Sequence, residues 1–448
     1  MNLIKAIGIR QGESAAFVGA GGKTSAMFAL AREINGSVIL TATTHLGTWQ
    51  ADLADVHVII QNPKDLETML FSRGEKELFT GPEGNDGRLH GLDDEALNKL
   101  QVLCKEYNLN LLIEADGARQ RALKAPASYE PVIPMGVDRV VVVAGLSALG
   151  KPLDKAYVHR PQIFSSITGL SENQPIDEDN VIFLLKSDVG GLKDIPEGCL
   201  KILFLNQADD DVLSSQGGRI ARELIGAYDR ILVGSLEKPG KSGFVHCAYS
   251  QTAGVILAAG GSDRLEAPKQ LLDWQGKPFI RKVAETALEG GLSPLIIITG
   301  AYHEQVGGAL GDLPVKIVHN PNWAEGQSTS VKLGIQSLPE NCDSVMFLLS
   351  DQPQIPSQLI IELIERFRQK RMAITAPMVD GQRGNPLLFS REAFSALAMI
   401  SGDKGGRVVI NQFKVDWLSW IDHRILMDVD QAGDYEKLKE AYFPAFGE

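Results

Sequence analysis

The 448 residues predict an α/β chain of two domains. Three observations carry this reading. Short apolar runs alternate with amphipathic stretches from end to end, as in parallel sheets flanked by helices. A strand running into a glycine turn with a basic residue behind it occurs twice, around residues 16–25 and 255–269. The chain is also too long for one typical core. The boundary falls within 238–252, where Pro239-Gly240-Lys241-Ser242-Gly243 and a short polar segment precede a new strand at Val255. The first domain is therefore expected over 1–250 and the second over 251–448.

Composition narrows the function classes. Hydrophobic residues make up 44% and charged residues 22%, ordinary values for a soluble globular protein. The net charge of −12 argues against nucleic acid or a membrane surface as partner. It leaves room for small anionic ligands, which need only a local cationic pocket. The four cysteines, Cys104, Cys199, Cys247 and Cys342, form no CxxC pair, so packed, reduced thiols in a cytoplasmic protein are expected and a zinc site is not. The start of the chain lacks the apolar run of a signal peptide, and no run reaches the length of a membrane span.

In the first domain the strand Ala16–Gly19 leads into Ala20-Gly21-Gly22-Lys23-Thr24-Ser25 and a helical run to Ile34. This resembles a P-loop. Gly19, Gly21 and Gly22 let the backbone approach phosphate, Lys23 supplies charge, Thr24 suits magnesium, and a helix N-terminus lies behind. Phe17 stands where the full pattern has glycine, so the loop is shorter or differently shaped. ATP or GTP is the nucleotide such a turn would take; an ordinary strand-to-helix turn is the alternative. A strand over 37–40 runs into Thr41-Ala42-Thr43-Thr44-His45, and Val56–Ile60 and Asp93–Tyr107 read as strand and helix. The strand Leu109–Ala115 releases Glu114 and Asp116 at its end, where carboxylates can hold magnesium. Arg119, Arg121 and Lys124 fit an anion, or a solvated basic loop. Strands over 137–144 and 201–205 follow, the latter ending Asn206-Gln207-Ala208-Asp209. Asn206 and Asp209 sit as in the Asn-Lys-x-Asp base reader of GTPase-like domains, but Gln207 replaces the lysine and leaves the base open. A strand over 231–234 closes the domain.

In the second domain the buried strand Val255-Ile256-Leu257 breaks into Ala258-Ala259-Gly260-Gly261-Ser262, followed by Arg264 and Lys269. Glycines, loop N–H groups and two cations make a triphosphate cradle. After a helix over 278–289 and a strand over 295–299, a further helix starts at Tyr302. The loop Asn320 to Ser330 offers Gly326, Ser328 and Ser330 at a helix start, suited to a base or a phosphate and equally to plain N-capping. The apolar strand over 344–349 releases Asp351, the candidate magnesium ligand. Residues 381–386 form a turn-rich lip for a second substrate, and 402–407 open another helix. Among Asp403, Asp428 and Asp430, Asp430 is preferred as a second metal ligand, the others being more typical of helix starts.

Two resemblances follow. VGAGGKTS (18–25), TATTH (41–45), EADGARQRALKAP (114–126), VHRPQIF (158–164) and LNQAD (205–209) resemble the YqeC-like family, accessory proteins of selenium-dependent molybdenum hydroxylases. That implies nucleotide binding, a role in cofactor maturation and a molybdenum hydroxylase client. LAAGGSDRLEAPKQLL, NPNWAEGQSTSVKLG, LLSDQPQI, GQRGNPLLF, GDKGGR and DVDQAGDY resemble the MobA-like nucleotidyltransferases, closest to the MocA-type molybdenum cofactor cytidylyltransferases. Leu265-Glu266 replaces the usual Met-Gly, and Asn385 stands where His is common. This resemblance implies a Rossmann-like, GT-A-like fold and transfer of CMP from CTP to the terminal phosphate of molybdopterin. Mg²⁺ on Asp351 and Asp430, with Arg264, Lys269 and loop N–H groups, would stabilise the charge. A GTP- or sugar-phosphate-using transferase, and a nucleotide-gated delivery protein, are the competing readings.

Overall fold

The computed structural model divides into two compact units, Met1–Ser250 and Gln251–Glu448. It describes every residue except 70, 73, 237–244, 262–267, 404, 430 and 443–448.

The first unit is built on a nine-stranded sheet. In chain order its strands are β1 (Ser14–Gly19), β2 (Val38–Ala42), β3 (Val56–Ile59), β4 (Lys76–Thr80), β5 (Asn110–Glu114), β6 (Arg139–Gly145), β7 (Leu200–Asn206), β8 (Arg230–Gly234) and β9 (Val245–Tyr249). Their spatial order is β9-β8-β7-β6-β1-β5-β2-β4-β3, parallel throughout except for β9. The central strands are buried on both faces, which is why they read as unbroken apolar runs. Successive residues feed opposite cores. Ala16, Val18, Val140 and Val142 face α3 (Asp94–Glu106) and α5 (Glu178–Lys186). Phe17, Val141 and Val143 face α1 (Leu3–Ile7) and α2 (Lys23–Glu33). The remaining helices are α4 (Pro161–Thr168) and α6 (Asp211–Glu223).

The second unit has an eight-stranded sheet. Its strands are β10 (Thr252–Ala258), β11 (Leu292–Thr299), β12 (Lys316–His319), β13 (Ser344–Leu349), β14 (Ile374–Val379), β15 (Gln382–Arg383), β16 (Leu387–Ser390) and β17 (Val415–Ser419). The order is β12-β11-β10-β13-β16-β14-β15, with β17 pairing β14. The four strands β10 to β13 are parallel, whereas β16 runs antiparallel between β13 and β14. Helices α7 (Phe279–Glu289), α8 (His303–Leu310) and α10 (Ser357–Lys370) cover one face; α9 (Gln327–Gln336) and α11 (Phe394–Met399) cover the other. Helix α12 (Ala432–Tyr442) packs Leu438 against Trp274 and Phe279.

The helix expected to open at 402–407 resolves into a 3-10 helix, Gly406–Gln412, instead of an α-helix. The β-branched run Val408-Val409-Ile410 crowds an α-helical turn. All four cysteines are free, and among the described residues no helix is long and apolar enough to cross a membrane.

Candidate functional site

Both units place polar residues at the carboxyl edge of their parallel strands, where α/β sheets bind ligands. In the second unit β10 ends at Ala258, and the turn Ala259-Gly260-Gly261 follows. Buried Gln270 holds this turn by donating to the carbonyl of Gly260 (2.8 Å) and, at longer range, of Ala258 (3.4 Å). Tyr302 donates its hydroxyl to the Gly261 carbonyl at 2.9 Å. The neighbouring strand β13 releases Asp351 beside this turn. Lys269 and Asp351 meet there, Nζ to Oδ2, at 2.5 Å, with side chains 22% and 12% exposed. The carbonyl-pinned turn and this ion pair therefore occupy one edge. Gln352 next in the chain donates to Asp428 at 2.5 Å, drawing that carboxylate toward the β13 end. Ser262, Arg264 and Asp430 lie outside the described residues.

On the other side of the turn, Asn320 donates to Thr329 Oγ1 (2.8 Å) and Ser330 Oγ (2.9 Å), fixing the start of α9. Gly326 precedes that helix with φ +112°, and a Cβ there would lie 2.6 Å from the Gly402 carbonyl carbon. This close approach lets Ser328 N–H reach the Gly402 carbonyl at 3.2 Å, with buried Ser328 seated beneath. Asp403 accepts from Gln327 N–H at 3.4 Å, so it serves the start of α9. Gly326→Ala is expected to destabilise the second unit by about 1–3 kcal/mol, from positive φ and backbone overlap; chemical denaturation with wild type alongside checks it.

In the first unit the turn after β1 is knit to its surroundings. Gly19 N–H donates to Asp116 Oδ2 (3.0 Å), Ala20 N–H to the Val143 carbonyl (2.8 Å) and Gly21 N–H to the Arg121 carbonyl (2.8 Å). Lys23 is buried; its Nζ donates to the Gly19 carbonyl at 2.7 Å and pairs with Asp116 at 3.1 Å. Thr24 donates to Glu114 at 2.7 Å, and Gln50 donates to Thr24 at 2.9 Å. Burial pushes the Glu114 carboxyl above its ordinary range, against the pull of Lys23 and the Thr24 hydrogen bond. Asn206 donates to the Gly21 carbonyl at 2.7 Å, so it braces the turn. Asp209 accepts from Ser235. Lys124, read from sequence as a possible surface cation, is buried: it bonds Asp116 at 2.7 Å and Glu130 at 2.9 Å. Arg160 completes the chain of charges on Glu130 at 2.5 Å. A cavity of about 30 Å³ beside Asp116 and Lys124 has room for water but not for a nucleotide.

This network sets an acid limit. Burial opposes ionisation of Glu130, but hydrogen bonds from Arg160 and Lys124 overcome it and hold the carboxyl at about 2, below its ordinary 4.5. Burial, then the charges of Arg160 and Lys124, lowers His159 from 6.5 to about 4. Both groups bind protons more readily unfolded than folded. Stability of the first unit should therefore fall as pH drops from 6.5, first through His159 and then, below 4.5, through Glu130. Acid unfolding of His159→Gln should lack the earlier limb.

A family model described as YqeC protein matches residues 15–162, and one described as MobA-like NTP transferase domain matches residues 254–417. The uncharacterized protein YqeC of Escherichia coli (strain K12) is 34% identical over 197 residues, spanning 42% of this chain and 74% of that protein. The chain belongs to the YqeC family in its first half and to the MobA-like NTP transferases in its second. The MobA-like half is 31% identical to nicotine blue oxidoreductase of Paenarthrobacter nicotinovorans, over 40% of this chain and 91% of that protein. It is 26% identical to the molybdenum cofactor cytidylyltransferase of Escherichia coli (strain K12), over 42% of this chain and 95% of that enzyme. Among solved structures, Rv0371c from Mycobacterium tuberculosis H37Rv is 28% identical with a TM-score of 0.39, covering 42% of this chain and 98% of that one.

The MobA-like half brings together Lys269, Asp351 and the Ala259–Gly261 turn, while Gly326, Ser328 and Ser330 cluster at the start of α9. The YqeC half joins Gly19, Gly21, Gly22, Lys23, Thr24, Glu114, Asp116 and Asn206 around one turn, with Asp209 held separately by Ser235. Sequence reading passed over Gln270, Tyr302, Asn320 and Gln50. Gln270 directly follows Lys269 within the recognised PKQLL run, which was the available signal. Asn320 acts within the loop up to Ser330, whereas Tyr302 and Gln50 act from distant elements, and their roles appear only in the folded chain.

Proposed function

We propose that the MobA-like half transfers CMP from CTP to the terminal phosphate of molybdopterin cofactor, releasing pyrophosphate. A phosphate oxygen of the acceptor would form the new bond to the α-phosphorus while the bond to the β-phosphate oxygen breaks. The attacking phosphate is already anionic, so no strong base is needed. The obstacle is charge: two unit charges 4 Å apart repel by ~4 kcal/mol at an effective dielectric of 20. The Lys269–Asp351 pair is the observation that carries the reading, since it sets a cation and a carboxylate side by side at the glycine turn. A single carboxylate suits magnesium, which keeps most of its waters and takes its other ligands from phosphate. Asp351 would hold it, with Asp430 proposed as its partner; bound there, the ion would neutralise phosphate charge. Lys269, released from Asp351, would bind the triphosphate, joined by Arg264 and the N–H groups of Ala259 to Ser262. Gly326, Ser328 and Ser330 would seat the base or sugar.

The YqeC half would act as accessory to the same cofactor, toward a molybdenum hydroxylase client. One relative bears an oxidoreductase's name, but a lysine–aspartate pair on a glycine turn favours phosphate chemistry. The full chain is to be incubated with molybdenum cofactor, Mg²⁺ and each of the four NTPs, with dinucleotide and pyrophosphate quantified. Cytosine dinucleotide formed preferentially supports the proposal. Guanine dinucleotide reassigns the base, and no product with any nucleotide rejects it.

A further inference from the structure

The YqeC half carries a surface that neither its glycine turn nor the transferase reaction uses: a short two-stranded ribbon at the carboxyl end of β2. Leu46-Gly47 pairs antiparallel with Arg88-Leu89, Leu46 opposite Leu89 and Gly47 opposite Arg88. The base of the ribbon is tied to the sheet, since Leu92 N–H donates to the Ala42 carbonyl at 3.0 Å. Successive side chains of a strand point to opposite faces, so each cross-strand pair belongs to one face. Leu46 and Leu89 go inward. They are 1% and 4% exposed and join the core shared with α1 and α2. The flanking pairs, Gly47 with Arg88 and His45 with His90, therefore face away from that core. The two imidazole rings meet there with centroids 4.5 Å apart, tilted by 52°.

Trp49 lies over the same outer face. A Cβ on Gly47 would fall 2.5 Å from its Nε1 and 2.8 Å from its Cδ1, so the indole covers the spot where a side chain at 47 would stand. Trp49 is 53% exposed, the most exposed of the five tryptophans. The turn that presents it is fixed: Gly47 N–H donates to Gln50 Oε1 at 2.7 Å, and buried Gln50 donates to Thr24 at 2.9 Å. Arg88 reaches across the ribbon and donates to the His45 carbonyl at 2.8 Å, which sets its guanidinium beside the histidines. Asp86 marks the rim, since a Cβ on Gly84 would lie 2.6 Å from His90 Nε2 and 3.0 Å from Asp86 Oδ1. His45, Arg88 and His90 are exposed like the indole. The ribbon packs through Leu46 and Leu89 alone, so its outer face adds nothing to the core. Leaving an indole in water costs the transfer free energy of its apolar area. Held over a glycine beside two imidazoles, it presents a flat surface of fixed orientation. Such faces attract planar rings by stacking, and a guanidinium at the edge suits an anionic substituent on the ring.

We infer that this face binds a planar heteroaromatic ring of the pterin class, stacked on Trp49 and the His45–His90 pair, with an anionic substituent of the ring on Arg88. In a chain of net charge −12, one guanidinium beside two imidazoles gives that substituent a local partner. The choice of a pterin rests on the reaction proposed for the MobA-like half, whose acceptor carries one. The ring site itself rests on the ribbon, and none of its residues lies in the second unit or in the turn over 19–25. One chain would then hold the same cofactor at two places, by its ring in the first unit and by its phosphate in the second.

Hydrogen–deuterium exchange of the full chain with 6-carboxypterin, a stable anionic pterin, tests it, and GMP serves as the nucleobase control. The pterin is expected to protect residues 44–50 and 86–91. In Trp49→Ala the concentration for half-protection should rise about tenfold, and Trp49→Phe should recover most of the loss. Arg88→Met should raise it several-fold and remove its dependence on salt. Thermal unfolding is to confirm that all three variants fold. Absence of protection at both segments with millimolar pterin overturns the proposal. So does half-protection of Trp49→Ala at the wild-type concentration, and so does GMP protecting the ribbon at the same concentration as the pterin. Peptides over 254–261 report the second unit. Protection there alone places the pterin in the transferase half and overturns the ribbon site, while the transfer reaction stands. Protection of the ribbon, with no dinucleotide formed from any of the four NTPs, rejects the transfer reaction and leaves the ribbon site in place.

Discussion

Lys269→Ala and Asp351→Ala are each expected to lower nucleotidyl transfer by about 10²–10³-fold or more while the second unit stays folded. The argument starts from their ion pair of 2.5 Å. Without ligands each neutralises the other, which lets a lysine and a carboxylate sit only partly exposed beside a glycine turn whose carbonyls Gln270 and Tyr302 already occupy. With nucleotide and metal, both charges would change partner. Removing the lysine takes away a cation aimed at developing phosphate charge; removing the aspartate takes away the metal's anchor. The pairing adds a signature that a merely structural pair would lack. Lys269→Ala frees Asp351 from its competitor, so divalent metal should bind the ligand-free variant several times more tightly even as turnover collapses. Asp351→Ala should weaken the metal requirement for nucleotide binding. Steady-state kinetics, Mn²⁺ titration and denaturation together check these outcomes; full turnover in both variants would remove the pair from the chemistry.

The second large effect belongs to the first unit. Lys124→Met should destabilise it by about 3–5 kcal/mol, because it strips the shared cation from two buried carboxylates, leaving Asp116 to Lys23 and Glu130 to Arg160. The Lys124 side chain is 1% exposed, so water cannot readily take its place. Denaturant-dependent proteolysis read on fragments of 1–250 separates this unit from the other, which a single whole-chain transition would not.

The fold was legible where burial enforces composition. Runs such as Val140 to Val143 and Val255 to Leu257 must be strands because both faces are covered, and the glycine turns after β1 and β10 mark where helix follows strand. The edge carboxylates Glu114, Asp116 and Asp351 were legible for the same reason, since a carboxylate ending such a run marks the strand's carboxyl edge, where it stays buried by finding hydroxyl, N–H or lysine partners. Lys124 was not. A lysine among arginines reads as a surface loop, and only the pairing of 123–124 with 158–159 carries it inside to meet Asp116 and Glu130. Asn206 likewise looked like a base reader, while the parallel register of β7 against β6 delivers it to the Gly21 carbonyl. Gln270 and Asn320 escaped because glutamine and asparagine carry no charge signature. Their work is to hold carbonyls and hydroxyls in place.

The most direct measurement is a crystal structure of the full chain with CTP and Mn²⁺, the metal located by its anomalous signal. The account predicts the ion on an Asp351 carboxylate oxygen, the triphosphate over the Ala259–Gly261 turn, and Lys269 moved from Asp351 onto phosphate. Nucleotide or metal bound elsewhere, with the Lys269–Asp351 pair intact, would contradict it.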